Sequence, residues 1–313
     1  MPTTTPHRFW RTIAAFATLY LVWGSTYLAV KYAVESFPPF LMSAVRFVIA
    51  GGILYVIGLF RRWPRPTLQQ WTYALLMGTL FMGSMSSVAW AEQYVDSSLA
   101  ALIITSEPVL IVLVLWIGKK RAPGIQRSVG LVLGGIGMLV LVGPSSLAVG
   151  QSRAGAVLTV FLSALAWAIG SVYPAYDKLP RSPTQSIAMQ MLGSGVLLLG
   201  FSWVVEDWKV LELSSVGPIA WISWGYLVIF GSILAFSAFT YLLRVESPDK
   251  VATYAYVNPV IAVLLGWLFR DEVLTLTAGI AAVLLLAGVF LISTPRTILS
   301  VPKRWRILAR RNA

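Results

Sequence analysis

The sequence has no cysteine and one histidine, His7, which lies in the polar N-terminal stretch. These two scarcities exclude disulfides, thiolate nucleophiles, cysteine-ligated metals and histidine proton relays in the apolar part of the chain. Charge is scarce too: charged residues make up 12% of the 313 residues, against about a quarter in a typical soluble domain. So little charge cannot cover a soluble particle of this size, and most of its surface must face lipid.

Apolar residues are abundant instead. They make up 58% of the chain, and the mean hydropathy is +0.78. A membrane-spanning helix needs about 20 mostly apolar residues, so the sequence predicts an all-α membrane protein with ten transmembrane helices. The predicted spans are 11–31, 38–60, 70–91, 98–118, 125–143, 154–174, 185–205, 217–242, 249–269 and 275–293.

The distribution of basic residues predicts the orientation. With the N-terminus in the cytoplasm, 19 of the 24 Lys and Arg lie on the inside, four lie outside, and Arg46 lies within a span. Such a bias predicts that both termini are cytoplasmic. The net charge of +12 is then explained by orientation and by attraction to anionic lipids, above all at the basic tail 296–313, and we expect no nucleic-acid binding.

A weak internal repeat divides the chain. The later spans of the two halves align at a constant offset of 151 residues, and the first spans align at 144. The sequence predicts repeats over 11–148 and 149–295, each with five helices. Because five is odd, the second copy enters the membrane from the opposite side, which gives an inverted repeat. The aligned pairs are Ala101 with Ala252, Pro108 with Pro259, Trp116 with Trp267, and Trp23 with Trp167.

Several of these motifs resemble the EamA domain of the drug/metabolite transporter superfamily, in its YedA-like branch. The resemblance covers two copies over about 11–295 and implies ten helices, cytoplasmic termini, an inner-membrane location, and export or exchange of amino acids, sugars or other metabolites. One departure is that the first copy ends its fourth helix with Gly118-Lys119 where the family has Gly-Glu, whereas Glu272 keeps that acid in the second copy. The matching motifs are Trp23-Gly24-Ser25-Thr26-Tyr27, Pro38-Pro39, Arg46-Phe47, Glu107-Pro108, Tyr254 to Val260, and Asp271-Glu272.

Glu107 is the strongest candidate for a functional residue. It lies near the middle of the fourth span, about ten residues or 15 Å from either end, where a charge costs on the order of 3 kcal/mol. Pro108 follows it and frees a backbone carbonyl one turn earlier. We interpret Glu107 as a substrate ligand or as a carboxyl that binds and releases a proton. The alternative is a neutral carboxyl that holds a helix kink, or a structural partner of Arg46.

Arg46 and Asn258 are two further polar candidates in apolar spans. Arg46 could bind a substrate carboxylate, but we favour a structural role, in which it extends towards the outer surface or pairs with Glu107 or Glu92. Asn258 occupies the place of Glu107 in the second repeat and can donate and accept hydrogen bonds without charge. The pair of Glu107 and Asn258, one charged and one neutral, suits an amphiphilic zwitterion. The alternative for Asn258 is a hydrogen bond between helices.

Aromatic residues lie at mid-span depth, where they are not interface anchors. Their hydroxyl and indole N–H groups need partners, so they are candidates to line a cavity. Trp23 and Trp167 are the strongest, because the repeat relates them, although tight packing would explain them equally. The group comprises Tyr20, Trp23, Trp90, Trp167, Tyr241, Tyr254 and Tyr256, and we expect all but Tyr254 to contribute to a substrate site.

These observations predict a secondary transporter that moves a small neutral or zwitterionic, amino-acid-like metabolite by alternating access. No ATP-binding motif is present, so we expect no cofactor, and protons are the candidate coupling partner. The aromatic residues favour a hydrophobic or aromatic amino acid, and a monomer is expected. The alternatives are a membrane-embedded sensor or scaffold and an intramembrane enzyme; the enzyme lacks a catalytic set, because Glu107 stands alone.

Overall fold

The computed structural model describes residues 6–119, 124–142, 151–172, 178–208, 211–246, 251, 254–273 and 275–293. The predicted basic tail and the boundary between the predicted repeats, 148/149, lie outside the described residues. The helices are α1 Pro6–Val34, α2 Pro39–Phe60, α3 Leu68–Ala91, α4 Ser97–Ile104, α5 Glu107–Lys119, α6 Ile125–Val142, α7 Gln151–Val172, α8 Pro183–Val205, α9 Pro218–Tyr226, a π-helical segment Leu227–Leu234, α10 Ala235–Val245, α11 Tyr254–Arg270 and α12 Leu276–Ser293.

The all-helical prediction is confirmed for the part of the chain that the structure describes. Seven helical stretches there are long and apolar enough to cross a membrane, and two shorter apolar helices follow them. Large apolar side chains such as those of Phe60, Leu139 and Val204 are exposed, as expected of a surface that faces lipid. The ten crossings and the sides of the termini stay predictions.

The fourth predicted span is broken, which the sequence did not make explicit. α4 ends at Ile104 and α5 begins at Glu107, with a turn at Thr105 and Ser106 between them. Pro108 explains the break, because it has no N–H to donate to the carbonyl of Ile104. The aligned Pro259 does not break its helix, since α11 continues through it.

Two helix pairs of the bundle are in especially close contact. α2 packs against α8, and α6 packs against α12. In the first pair, an added Cβ at Gly51 would lie 2.9 Å from the carbonyl oxygen of Ala188, and one at Gly195 would lie 3.0 Å from the amide nitrogen of Val48. Glycine at both positions therefore permits backbone-to-backbone approach between these helices.

Carboxylates hold two helix N-termini at one end of the bundle, which we call the outer end after the side that the Lys and Arg distribution predicts. The Glu206 carboxylate accepts from the backbone amides of Phe40 and Leu41, both at 2.9 Å, at the start of α2. The Glu272 carboxylate accepts from the backbone amides and the hydroxyls of Ser97 and Ser98, at 2.6 to 3.1 Å, at the start of α4. Both acids satisfy amides that a helix cannot satisfy itself.

Further contacts at the outer end join α1 to the end of α11. Arg270 Nη2 and Glu35 Oε1 form an ion pair at 2.6 Å, and the Tyr32 hydroxyl donates to the carbonyl oxygen of Phe269 at 2.9 Å. Together with Glu272, these contacts close the outer end around α1, α4 and the loop between α11 and α12.

Gly51→Ala is expected to destabilise the protein, because the new methyl group would collide with the backbone of α8. Gly52→Ala is the matched control: its Cβ would meet nothing closer than 4.0 Å, and alanine favours a helix over glycine by about 1 kcal/mol. The measurement is the thermal unfolding midpoint of the purified protein in detergent. Equal midpoints for the two variants would contradict the close α2–α8 contact.

Glu272→Gln is expected to change how stability depends on pH. Partial burial acts to raise the pKa of the Glu272 carboxyl, but the hydrogen bonds from Ser98 and Ser97 outweigh burial and hold the pKa below its ordinary value of 4.5. A lowered pKa in the folded state stabilises the fold above about pH 4.5, and this contribution is lost as the pH falls through the folded-state pKa. The unfolding midpoint of Glu272→Gln should therefore lie below that of the wild type at pH 7.

The difference between the two midpoints should stay nearly constant from pH 7 down to about pH 4.5 and should shrink as the pH falls further, through the folded-state pKa of Glu272. A difference that persists unchanged as the pH falls well below 4.5 would show that the effect of the substitution does not come from the charge of Glu272.

Candidate functional site

A cavity of about 80 Å³ lies at the centre of the bundle, where helices of both predicted repeats meet. Its walls mix aromatic rings with one basic and two acidic side chains, all three of them buried. It extends from the level of Trp23 towards the outer end. The lining residues are Trp23, Thr26, Tyr27, Val30, Arg46, Ser84, Met85, Val88, Glu92, Ile104, Glu107, Trp167, Tyr254 and Asn258.

Helical periodicity explains why these residues share one cavity. α3 contributes Ser84, Val88 and the residue that ends the helix, Glu92, at intervals of four. α11 contributes Tyr254 and Asn258, also four apart. Residues at i and i+4 lie on one face of a helix, so each helix presents a single stripe to the central space.

Arg46 enters the cavity from α2 and is 2% exposed. Its Nε donates to the Ser232 hydroxyl at 2.8 Å, whereas its Nη2 has no hydrogen-bond partner in the protein. The Ser232 hydroxyl itself donates to the carbonyl oxygen of Leu227, five residues earlier, at 3.1 Å, a spacing that belongs to a π-helix. The π-helical segment thus positions the serine that orients the guanidinium.

The structural role favoured for Arg46 from the sequence is not observed in the expected form. Arg46 does not reach the surface, and the described residues contain no ion pair between Arg46 and either Glu107 or Glu92. The reason is its anchor on Ser232, which directs the guanidinium towards the π-helical segment rather than towards an acid. One face of the guanidinium is left free in the cavity.

Glu107 is the first residue of α5 and is buried at the break between α4 and α5. The Tyr254 hydroxyl donates to its Oε2 at 3.4 Å, a long hydrogen bond. Asn258 lies one turn after Tyr254, and its Oδ1 has no hydrogen-bond partner in the protein. The structure therefore brings the two aligned polar residues, Glu107 and Asn258, into one cavity.

Glu92 is a third charged residue of the cavity, and the sequence suggested it only as a partner for Arg46. It is fully buried, and no protein group donates to either of its carboxylate oxygens. Lys31 lies close by, but its Nζ donates to the main-chain carbonyl oxygens of Glu92 and Val95, at 2.6 and 2.8 Å. The side chain of Glu92 is therefore available at the outer end of the cavity.

An aromatic wall closes the cavity on its inner side. Trp23 is the centre of this wall: its ring centroid lies 6.1 Å from that of Trp167, 5.2 Å from Phe236, 5.3 Å from Phe239 and 5.3 Å from Tyr254. The Trp23 indole N–H also donates to the carbonyl oxygen of Gly231 at 3.4 Å. These contacts confine the central cavity on the side that faces the inner end of the bundle.

A second space, of about 210 Å³, lies beyond the aromatic wall towards the start of α8. We call it the inner chamber, and the central cavity the outer chamber. Trp167 lines both of them. Among the residues that the structure describes, none that lines the inner chamber is charged; they are Phe81, Met82, Trp167, Pro183, Ser186, Ile187, Gln190, Phe236, Phe239 and Thr240.

Three of the predicted site residues do not join this cavity. Tyr20 packs against Phe16, Trp90 packs against Tyr94, and the Tyr241 hydroxyl lies 3.4 Å from that of Thr12. None of the three lines the central cavity, because mid-span depth does not determine the face of a helix on which a residue lies. The side chain of Tyr256 lies outside the described residues.

The sequence analysis did not select some of the residues that line the two chambers, although their spacing from selected residues indicates them. Tyr27 lies four residues after Trp23, and Tyr254 lies four residues before Asn258, so both follow from residues already chosen. Gln190 lies 144 residues after Arg46, which is the offset that relates Trp23 to Trp167.

Comparison with known proteins agrees with the architecture. The sequence pattern of the EamA-like transporter family matches residues 10–143 and again 154–294. The chain is 34% identical to the uncharacterized inner membrane transporter YedA of Escherichia coli K12. The identity extends over 286 residues, which are 89% of each chain. It is 24% identical to the uncharacterized transporter YoaV of Bacillus subtilis 168, over 87% of this chain and 92% of that protein.

A solved crystal structure shares the fold. It superposes with a TM-score of 0.63 at 23% identity, over 90% of this chain and 96% of its own. The double family match covers most of the sequence, and the identity to an inner membrane transporter extends over nearly nine-tenths of it. This chain is therefore a multi-pass protein of the inner membrane and belongs to the EamA-like transporter family.

Proposed function

We propose that the protein is a secondary transporter that carries a small zwitterionic, amino-acid-like metabolite through the outer chamber by alternating access. One observation carries the proposal: the outer chamber holds a buried guanidinium whose Nη2 is free, together with free acceptor oxygens. Unpartnered polar groups in a buried site are costly, and a substrate with a carboxylate and an ammonium group would satisfy both kinds.

Arg46 is the proposed ligand of the substrate carboxylate. A guanidinium makes strong, oriented hydrogen bonds to a carboxylate, and Ser232 already fixes its orientation through Nε. The Oδ1 of Asn258 is the proposed acceptor for the α-ammonium group, because it has no donor within the protein. Trp23 and Trp167 would contact the apolar part of the substrate from the aromatic wall.

Glu107 is the proposed proton-coupling residue. It lies at the break between α4 and α5, and a break of this kind near the middle of a membrane is where transporters place substrate and coupling-ion sites. Its one protein partner is the long hydrogen bond from Tyr254. A carboxyl held this weakly can alternate between the neutral and the ionised form as the chamber changes its exposure.

Alternating access is supported by the way the helices pack. The first span, α1, packs against α11 of the ninth, and the sixth span, α7, packs against α4 and α5 of the fourth. In the same way α3 packs against α7, and α1 against α9 and α10. Each of these contacts between the halves thus has a counterpart in which the two halves exchange roles, as an inverted repeat requires. Such repeats can interchange their conformations.

The proposed direction is export or exchange, in line with the family resemblance. The proposed unit of transport is a monomer, because two inverted repeats of five helices can enclose a path of their own.

Glu107→Gln is expected to abolish uptake driven by a pH gradient, because an amide cannot bind and release a proton. Exchange of labelled for unlabelled substrate at equal pH should persist, since it needs no net proton movement. Both are measured in proteoliposomes with a pooled set of labelled amino acids and sugars. Glu212→Gln, the same change at an exposed position, is the control, and a pH-driven flux that survives in Glu107→Gln would disprove the coupling role.

Arg46→Gln is expected to raise the half-saturating concentration of the transported amino acid by about tenfold or more, which is the range for losing a hydrogen bond to a charged group. The carboxamide analogue of the same substrate should be affected little, because it brings no carboxylate. Arg61→Gln removes an exposed arginine just after the end of the same helix and should behave as the wild type. Equal losses for both substrates would assign Arg46 a structural role.

A further inference from the structure

The turn that ends α11 is fastened to the outer end of α1. Arg270 Nη2 forms an ion pair with Glu35 Oε1 at 2.6 Å, and the Arg270 guanidinium also lies over the ring of Tyr32, 5.1 Å from its centroid. The Tyr32 hydroxyl donates to the carbonyl oxygen of Phe269 at 2.9 Å. Tyr32 and Glu35 thus hold the end of α11 by three separate contacts.

Glu272 fastens the same turn to α4. Its carboxylate accepts from the backbone amides and the hydroxyls of Ser97 and Ser98. The carboxylate lies against Gly266, where an added Cβ would approach the Glu272 Cδ to 2.8 Å, so glycine leaves the room that this side chain needs. We call this set of contacting residues the outer clasp; it comprises residues 269–272, Tyr32, Glu35, Ser97 and Ser98.

The outer clasp joins the two halves of the chain. Residues 269–272 belong to the second predicted repeat, whereas their partners at α1 and α4 belong to the first. A further contact at this end, from Lys31 Nζ to the main-chain oxygens of Glu92 and Val95, stays within the first half. It holds α1 to the segment before α4, and the clasp fastens both of these to α11.

The clasp has the features of a contact that can open. The side chains of Arg270 and Glu35 are 27% and 46% exposed, and ion pairs this exposed contribute little because water competes for both partners. Asp271 has a φ of 53°, a left-handed conformation that is uncommon for residues other than glycine and is found at switch regions. The turn is therefore held in place by its contacts rather than by its own backbone preference.

The outer chamber lies on the inner side of the clasp. α1 lines it with Tyr27 and Val30, just before its clasp residues, and α11 lines it with Asn258. Further in, α1 and α11 are in close contact at Gly24, where an added Cβ would lie 2.8 Å from the Cβ of Ile261. The two helices are thus joined at two levels, by close packing at Gly24 and by polar contacts at the clasp.

We propose that the outer clasp is the outer gate of the transporter. Its contacts keep the outer end closed, and they must break before the outer chamber can exchange its contents with the outside. The end of α11 then moves away from α1 and α4, while α1 and α11 stay in contact at Gly24. This inference rests on the proposed alternating access, and it names the contacts that control the exposure of the same chamber.

The chain contains no cysteine, so a single introduced thiol reports the opening of one chamber. Val30→Cys places the thiol in the outer chamber, and Thr240→Cys places it in the inner chamber. Each protein is reconstituted in nanodiscs, where both ends of the bundle face water. The measurement is the rate at which the thiol reacts with a charged, membrane-impermeant maleimide.

Glu35→Gln and Arg270→Gln are each expected to speed the labelling of Val30→Cys by about two- to fivefold, the range for losing an exposed ion pair. Neither should speed the labelling of Thr240→Cys. The double variant should act no more strongly than the stronger single one, because both substitutions remove the same contact. Asp96→Asn is the matched control: it removes an exposed acid beside the start of α4 that makes no capping hydrogen bond, and it should leave both rates unchanged.

Two results would overturn the proposed gate. One is an unchanged labelling rate of Val30→Cys in both clasp variants. The other is a similar increase for Val30→Cys and Thr240→Cys, which would show that the clasp stabilises the fold as a whole and controls neither end.

Counterflow of the pooled labelled amino acids and sugars in proteoliposomes tests the proposed function separately. Faster labelling of Val30→Cys in the clasp variants, in a protein that shows no counterflow, would keep the outer gate and reject transport. Counterflow together with an unchanged labelling rate would keep transport and reject the gate.

Discussion

The burial of one guanidinium sets the arrangement of the centre of this protein. Arg46 lies in an apolar helix pair where water cannot hydrate it, and its side chain is 2% exposed. A buried charge is tolerated when hydrogen bonds orient and compensate it. Among the described residues one such bond is present, from Nε to Ser232, and Nη2 has no partner although Arg46 lines the outer chamber.

The local backbone follows from this requirement. Ser232 can accept from Arg46 while donating to Leu227 because the helix is widened into a π-helical segment at that point. Gly231 leaves the space for Nη2, since a Cβ there would approach it to 3.0 Å. Such π-helical insertions recur at functional sites, and this one connects the eighth predicted span to the residue proposed to bind the carboxylate.

The two halves share a frame but differ in the chemistry of equivalent positions. Arg46 of the outer chamber corresponds to Gln190 of the inner chamber, and Glu107 corresponds to Asn258. These two charged residues thus have neutral counterparts in the other half. Exchange of the two conformations would preserve the packing of Trp23 and Trp167, while the charged groups remain on one face of the aromatic wall.

Much of the scaffold could be predicted because hydropathy depends on a sum over many residues. The helices lie within about three residues of the predicted spans in most cases, and Glu107, Arg46 and Asn258 stood out as polar residues in apolar runs. Depth along a helix could also be predicted, but not the face on which a side chain lies. Tyr20, Trp90 and Tyr241 were therefore selected, whereas Glu92 and Tyr254 were not.

Features that depend on one or two hydrogen bonds were the least accessible from the sequence. The break after Ile104 needed Pro108 together with a turn at Thr105 and Ser106, whereas Pro259, in an aligned position, leaves α11 continuous. The π-helical segment has no sequence signal apart from glycine next to serine. Tertiary contacts decide such local choices, because their energies are small compared with the burial of a whole span.

The contrast between the two chambers constrains how a charged substrate can cross. The inner chamber is larger, at about 210 Å³, but its described lining residues offer amide and hydroxyl groups, and none of them is charged. An unpaired ammonium or carboxylate would therefore lose its ion-pair partners on passing Trp167, at a cost that hydrogen bonds from Gln190 and Ser186 offset in part. Passage is favoured when the inner chamber is open to water at that moment, so that hydration replaces the lost partners. For the proposed export, the substrate would thus enter through the inner chamber while water hydrates it there, and the charged residues of the outer chamber would then hold it until the outer end opens.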